Sequence, residues 1–343
     1  MKTKQFAFGI AVATACALTG TPSQAAEKLN VLCAADDQWC NLMESTFEKE
    51  TGVDVSMVRK SSGEIFAQIK AESRNPKVDI WWGGTGDPHL QAAAEDLTVE
   101  YKSPQLDSLL DWAKNQAKDG SYKTVGIYAG ALGIGYNEEL LKSKGLPAPK
   151  CWADLTNPAY KGEIQMANPN SSGTAYTTLA TVVQLFGEEK GFEFLAGLHG
   201  NINQYTKSGS APIKAAARGE TTLAITFMHD MVKQVKKGFP IKVVAPCEGT
   251  GYEVGSMSIV KGARNPETAQ KFAEFALRAD IQSLAADAEA YQVPSNASAT
   301  VPDEAPKLSD LKLIEYDFAT YGSSDTRKRL LKRWDDEIKS LPR

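Results

Sequence analysis

Apolar positions follow two alternating rhythms along this chain. Leu29-Asn30-Val31-Leu32-Cys33 reads as a strand, followed by the loop Ala34-Ala35-Asp36-Asp37. Trp39, Leu42, Met43, Thr46 and Phe47 then recur at helical spacing, and Gly52 ends that helix. Val53 to Val58 alternates as a second strand. Ser61-Ser62-Gly63 opens a helix whose buried face is Ile65, Phe66 and Ile69. Val78 to Trp82 is a third strand, and it runs through Gly83-Gly84-Thr85-Gly86 into another helix. Strands alternating with helices predict an α/β fold.

Thr124 to Asn137 breaks this rhythm. It is a long, glycine-rich, apolar strand region with no turn signal to end it early, and we read it as a crossing between two lobes. An ordinary buried strand with a close neighbour is the alternative. Beyond it, Asn168 to Thr174 leads into a helix, and Ser208-Gly209-Ser210 precedes another. Thr221 to Phe227 is a strand ending at Met228-His229-Asp230, and Glu253 to Val260 forms the return crossing. Asn265-Pro266-Glu267 starts a helix with a cap, a proline at the first position and an acid in the first turn. Asp325 to Lys339 is a final charged helix carrying Leu330, Leu331 and Trp334. The expected organisation is a leader at 1–25, a first lobe begun by 26–125, a second lobe at 126–250, and a return to the first lobe at 251–343.

The N-terminus changes the picture. Lys2 and Lys4 precede the apolar run Phe6 to Leu18, and Ser23-Gln24-Ala25 supplies small residues for cleavage, as in a secretory signal peptide. The run falls short of the ~20 apolar residues of a membrane helix. Cys16 as a lipid-modified start is disfavoured, because Ala13 stands where Leu is usual. Export leaves Cys33, Cys40, Cys151 and Cys247, an even set that favours two disulfides. Of the three pairings, Cys33–Cys40 with Cys151–Cys247 keeps each bridge within one lobe. A zinc site is a weak reading, since no C-x-x-C is present and the chain has only three histidines. The formal charge of −4 becomes −6 when Lys2 and Lys4 are removed, and no basic block marks a nucleic-acid partner.

The chemistry points to binding. No G-x-S-x-G, H-E-x-x-H or G-x-x-x-x-G-K motif is present. Instead, small polar loops stand before predicted helices: Ser61-Ser62-Gly63, Gly83-Gly84-Thr85-Gly86, Ser172-Gly173-Thr174 and Ser208-Gly209-Ser210. Free N–H groups and the helix dipole make such positions anion sites, and hydroxyls add donors. Each loop alone is equally an ordinary cap; four of them, two in each lobe, are harder to explain that way. His229-Asp230 and Glu253 would suit sugar hydroxyls, because a carboxylate accepts several hydrogen bonds. Asp36 is a further candidate or simply a helix cap. Trp39, Trp81, Trp82 and Trp152 read as core.

These segments carry a resemblance. LNVLCAADDQW, VRKSSGEIFAQIKAE, VDIWWGGTGDPHL, YAGALGIGYN, ANPNSSGTAYTTL and GETTLAITFMHD resemble the periplasmic solute-binding proteins once grouped with ferric-ion-binding proteins. The likeness covers essentially the whole mature chain. It implies a type II, two-lobed α/β fold that closes on its ligand, with each lobe a sheet flanked by helices. It also implies a periplasmic location, a monomer, an inner-membrane ABC permease as partner, and no enzymatic activity or cofactor. Ferric-binding members carry a histidine, a glutamate and paired tyrosines where this chain has Asp36, Gly84 and Met228-His229, so a metal is not expected. The chain is more similar to the subgroup that binds hexose phosphates. That likeness assigns Asp36, His229, Asp230 and Glu253 to the sugar. The phosphate falls to Ser61, Ser62, Gly84, Thr85, Ser172, Gly173, Thr174 and Ser208. The alternatives are another organophosphate or phosphonate, such as phosphoglycerate or 2-aminoethylphosphonate, or iron(III) with a synergistic anion.

Overall fold

The structure is a computed structural model that describes Met1 and residues 27–342; the rest of the expected leader lies outside the described residues. Ten strands form: β1 (Lys28–Cys33), β2 (Asp54–Arg59), β3 (Ile80–Trp82), β4 (Val125–Asn137), β5 (Ile164–Ala167), β6 (Ile202–Thr206), β7 (Leu223–Phe227), β8 (Ile241–Val244), β9 (Tyr252–Ile259) and β10 (Val293–Pro294). The glycine-rich strand β4 does cross. Its first half, Val125 to Ala131, pairs antiparallel with β9, and β10 pairs with it at Tyr128 and Ala129. β9 leads on to β3, which lies parallel to β1 and so to β2. Its second half, from Leu132, lies antiparallel to β7 and β8, and β7 continues to parallel β5 and β6. One strand thus belongs to two sheets, each with its own helices, as in type II periplasmic binding proteins.

Two apolar cores follow from this division. The first gathers Trp39, Phe47, Trp82, Tyr128, Phe272 and Phe275, with Trp39 edge-on to Trp82 at 5.1 Å between ring centres. The second gathers Leu132, Trp152, Phe192, Phe227 and Trp334. All four tryptophans read as core are buried. Cys33–Cys40 ties the end of β1 to the first turn of the helix Asp37–Thr51. Cys151–Cys247 joins Cα atoms 4.7 Å apart across 96 residues of sequence. Closing a loop of that length restricts the unfolded chain by about 4–5 kcal/mol on a chain-entropy account.

The C-terminal helix, Ser324–Trp334, departs from the expected assignment to the first lobe. Leu330, Trp334 and Ile338 enter the second core. On its other face Arg327 donates to Gln91 at 2.8 Å and Lys328 pairs with Glu95 at 2.9 Å, both first-lobe residues. The helix therefore packs on both units. Periodicity identified its apolar stripe but carried no information about what that stripe would meet.

Candidate functional site

Six helices begin around one cavity. Asp36, Ser61, Thr85, Ser172, Ser210 and Phe227 are the residues immediately preceding the helices Asp37–Thr51, Ser62–Ala71, Gly86–Ala94, Gly173–Phe186, Ala211–Ala217 and Met228–Lys236. All six line the same cavity. Its volume is about 60 Å³, several times the ~10–15 Å³ that admits one water. The strands place these residues here because a helix that follows a strand starts at the strand's carboxyl end, the edge where α/β sheets hold ligands. Loops from the two units meet directly: Gly63 N donates to Ser171 O at 3.0 Å, and Ser61 Oγ to Lys207 O at 3.1 Å.

One part of the cavity wall is rich in donors. Arg59, at the end of β2, donates through Nε to Ala35 O at 3.2 Å and through Nη2 to Ser208 Oγ at 3.0 Å. Ser62, Thr85, Ser172, Gly173 and Thr174 also line the cavity. Thr85 Oγ1 is buried and has no protein partner, although the position is that of a cap. Two glycines are required sterically. A Cβ on Gly173 would lie 2.0 Å from Thr85 Oγ1, and one on Gly84, where φ is +86°, would lie 2.2 Å from Ser62 Oγ. Gly84 N donates to Tyr128 Oη at 2.7 Å, which leaves the tyrosine hydroxyl proton free to donate elsewhere.

The other part is acidic, with His229 and Glu253 buried and Asp230 half-buried. His229 Nε2 sits 3.9 Å from Asp230 Oδ2 and 3.9 Å from Glu253 Oε1. His229 Nδ1 faces Gly130 and has no partner; a Cβ on Gly130 would lie 2.5 Å from it. Thr226 Oγ1 lies against Asp230 Oδ2 at 3.2 Å, its one proton shared with the closer Gly209 O at 2.8 Å. Burial, with the charges of Asp230 and Asp87 added, pushes the Glu253 carboxyl well above its usual range. The shift favours the protonated form of Glu253, which can donate as well as accept. Burial lowers His229, partly offset by Asp230 and Asp36. Asp36 does not cap its helix through its side chain. Burial raises its pKa, but Lys214 and Lys233 outweigh that and hold it below the usual range.

The structure gathers every sequence-predicted site residue into this lining except Ser208, which stands behind Arg59 as its hydrogen-bond partner. Sequence reading missed Arg59, Tyr128, Lys233 and Gln292, which also line the cavity. Arg59 had a signal: it is the basic residue at a strand end, two positions before Ser61-Ser62. Among the described residues, the group of His, Cys, Asp or Glu side chains close enough to share an ion is Cys151, Cys247 and Glu248, and both of those sulfurs are in the disulfide.

A cleft between two sheets, ringed by helix starts and bridged by one shared strand, defines a ligand-capturing protein. Residues 75–320 match the model of the bacterial extracellular solute-binding protein family, and the chain belongs to that family. Its relatives are substrate-binding proteins, not enzymes; they take small-molecule solutes and work with ABC transporter permeases. The chain is similar to the periplasmic binding protein AfuA from Actinobacillus pleuropneumoniae, solved with exogenous fructose-6-phosphate bound. Identity is 46%, the TM-score is 0.90, and the match covers 92% of this chain and 99% of that one. It is also similar to the periplasmic binding protein P5PA, at 40% identity and a TM-score of 0.89, covering 91% and 99%. An uncharacterized protein of Haemophilus influenzae is 43% identical over 330 residues, 96% of this chain and 95% of that one.

Proposed function

We propose that this protein captures a phosphorylated sugar of the hexose 6-phosphate class in the periplasm and delivers it to an inner-membrane ABC permease. The observation that carries this reading is the division of the cavity wall. Arg59, Thr85, Ser172 and the helix starts offer donors and a cation, whereas His229, Asp230 and Glu253 offer hydroxyl partners. A phosphate bears about −1.5 to −2 charges at pH 7. It belongs among the helix N-termini and beside Arg59, whose fork matches phosphate oxygens. The sugar hydroxyls donate to Asp230 and exchange hydrogen bonds with Glu253. The raised pKa of Glu253 favours its protonated form, which shares the cavity with a dianion without repelling it. The likeness to AfuA, which was solved with a hexose phosphate, supports the same assignment.

Mass spectrometry of small molecules released from freshly purified protein tests this. Hexose phosphate in stoichiometric amount is the expected result. A phosphonate, or ferric iron with an anion, in that position would replace the reading.

A further inference from the structure

Four lysines of the second unit have all their carboxylate partners across the cleft. Lys214 lies on the helix Ala211–Ala217, Lys233 and Lys236 lie on the helix Met228–Lys236, and Lys237 ends the latter. Ile213 and Met231 seat these helices on the second sheet. Lys233 Nζ is 3.1 Å from Asp36 Oδ2 and 3.5 Å from Glu289 Oε2, with its side chain only 5% exposed. Lys214 approaches the same Asp36 at 3.6 Å. Lys237 pairs with Glu289 at 2.9 Å, and Lys236 with Glu304 at 2.9 Å. The lysines all fall between β4 and β9 in sequence, and the acids all fall before β4 or after β9. Asp36 follows β1, and Glu289 stands between Ala288 and Ala290 of the first core.

Glu289 adds a second observation. Its backbone sits at φ +54°, a left-handed conformation that is uncommon for glutamate. Such strain persists only where the surroundings fix it. Here it sets one carboxylate between two lysines of the other unit.

We propose that this cluster is an ionic latch. It holds the two lobes together over the cavity independently of ligand contacts, so ligand residence has a salt-screened component set partly by residues that never touch the ligand. Lys236, Lys237 and Glu304 are such residues; none lines the cavity. Opening the cleft separates every pair at once, and the shared partners Lys233, Asp36 and Glu289 couple them. The outer pairs Lys236–Glu304 and Lys237–Glu289 are partly exposed, individually weak and screened by salt, so they bias closure without locking it. The proposal rests on the cavity being the ligand site, not on which ligand fills it.

The test reverses the outer charges. Lys236→Glu with Lys237→Glu turns two attractions into repulsions; adding Glu304→Lys restores the outermost of them with opposite sign, while Glu289 is kept because Lys233 also pairs with it. Nitroxide labels at Ser45→Cys and Glu193→Cys, one on each unit, report the inter-lobe distance in ligand-free protein. The reversed variant should lose most of the short-distance population, and the swapped variant should regain part of it. With fructose 6-phosphate as probe, dissociation should quicken about fivefold in the reversed variant at low salt. At 1 M salt, where the Debye length is about 3 Å, the difference should vanish. Indistinguishable distance distributions in the wild-type and reversed proteins would overturn the latch, as would failure of the swap to restore a variant whose melting is unchanged. If fructose 6-phosphate does not bind the wild type, the ligand assignment fails, and the ligand-free distances still decide the latch.

Discussion

The two parts of the cavity wall solve opposite problems. Around Arg59, Thr85 and Ser172 the chain presents hydrogen-bond donors, most of them backbone groups at helix starts, with one cation that has no carboxylate partner within ion-pair distance. Around His229 it presents two acids, Glu253 buried on β9 and Asp230 half-buried at the start of a helix, with no lysine or arginine in ion-pair contact with either among the described residues. The first arrangement suits a charge and is indifferent to what the charge is attached to. The second is costly to bury unless hydroxyls fill it. On the proposed reading, affinity for an anion resides mainly at one end and discrimination between anions at the other, so each should be removable separately.

The largest effect comes from preventing the two ends from meeting. A Cβ on Gly63 would lie 2.3 Å from Asn170 O and 2.8 Å from Ser171 O, and backbone oxygens cannot swing aside. Gly63→Ala should wedge the lobes apart and weaken fructose 6-phosphate by about 1–3 kcal/mol or more, with the radius of gyration at saturation staying near that of free protein. Normal compaction by small-angle scattering would show that these loops do not meet in the bound state.

Removing the cation should come next. Arg59→Ala deletes a charged donor and should cost about 1.5–3 kcal/mol, roughly ten- to a hundredfold, for fructose 6-phosphate and inorganic phosphate alike. Asp230→Asn should behave differently, weakening the sugar phosphate by a similar amount but inorganic phosphate little. If both ligands lose equally in Asp230→Asn by calorimetry, the acidic end shapes the lobe and does not read the sugar. Ser172→Ala with Thr174→Ala should cost less than Arg59→Ala, because Ser172 also bonds Ala175 N within its own helix at 3.4 Å.

The smallest effect on affinity should be Glu253→Gln, since an amide resembles the protonated carboxyl that burial favours. Its signature lies in stability. Because the folded-state pKa of Glu253 is raised, the native state keeps a proton that the unfolded state releases above about pH 4.5. Wild-type stability should therefore fall as pH rises from there through the raised folded pKa. Glu253→Gln removes that slope, so melting curves should show the variant gaining on the wild type with rising pH and matching it most closely near pH 4. Parallel curves would mean Glu253 is ionised.

The sequence carried the strands and the helix starts because both are local. Ser61, Thr85 and Ser172 are short polar residues placed just before an apolar period of 3.6, and the crossing strand announced itself by thirteen residues without a breaker. His229, Asp230 and Glu253 stood out as polar residues at a strand end and a crossing, the family resemblance gave them a role, and the fold brings them side by side. Arg59 and Lys233 were missed because a lone cation at a strand end or on a helix looks the same in sequence whether it faces solvent or a cavity. Lys233 is polar by composition and yet buried, since its partners Asp36 and Glu289 are distant in the chain. The raised pKa of Glu253 was equally hidden, because it depends on burial and on Asp230 and Asp87, both far away in sequence.

The division of the wall is tested most directly by calorimetric titration of the wild-type protein with fructose 6-phosphate, fructose and inorganic phosphate under one buffer condition. The account predicts one-to-one binding of fructose 6-phosphate, weak competition by inorganic phosphate and no measurable heat from fructose. Binding of inorganic phosphate or fructose as tight as that of the sugar phosphate, or no binding of the sugar phosphate at all, would contradict it.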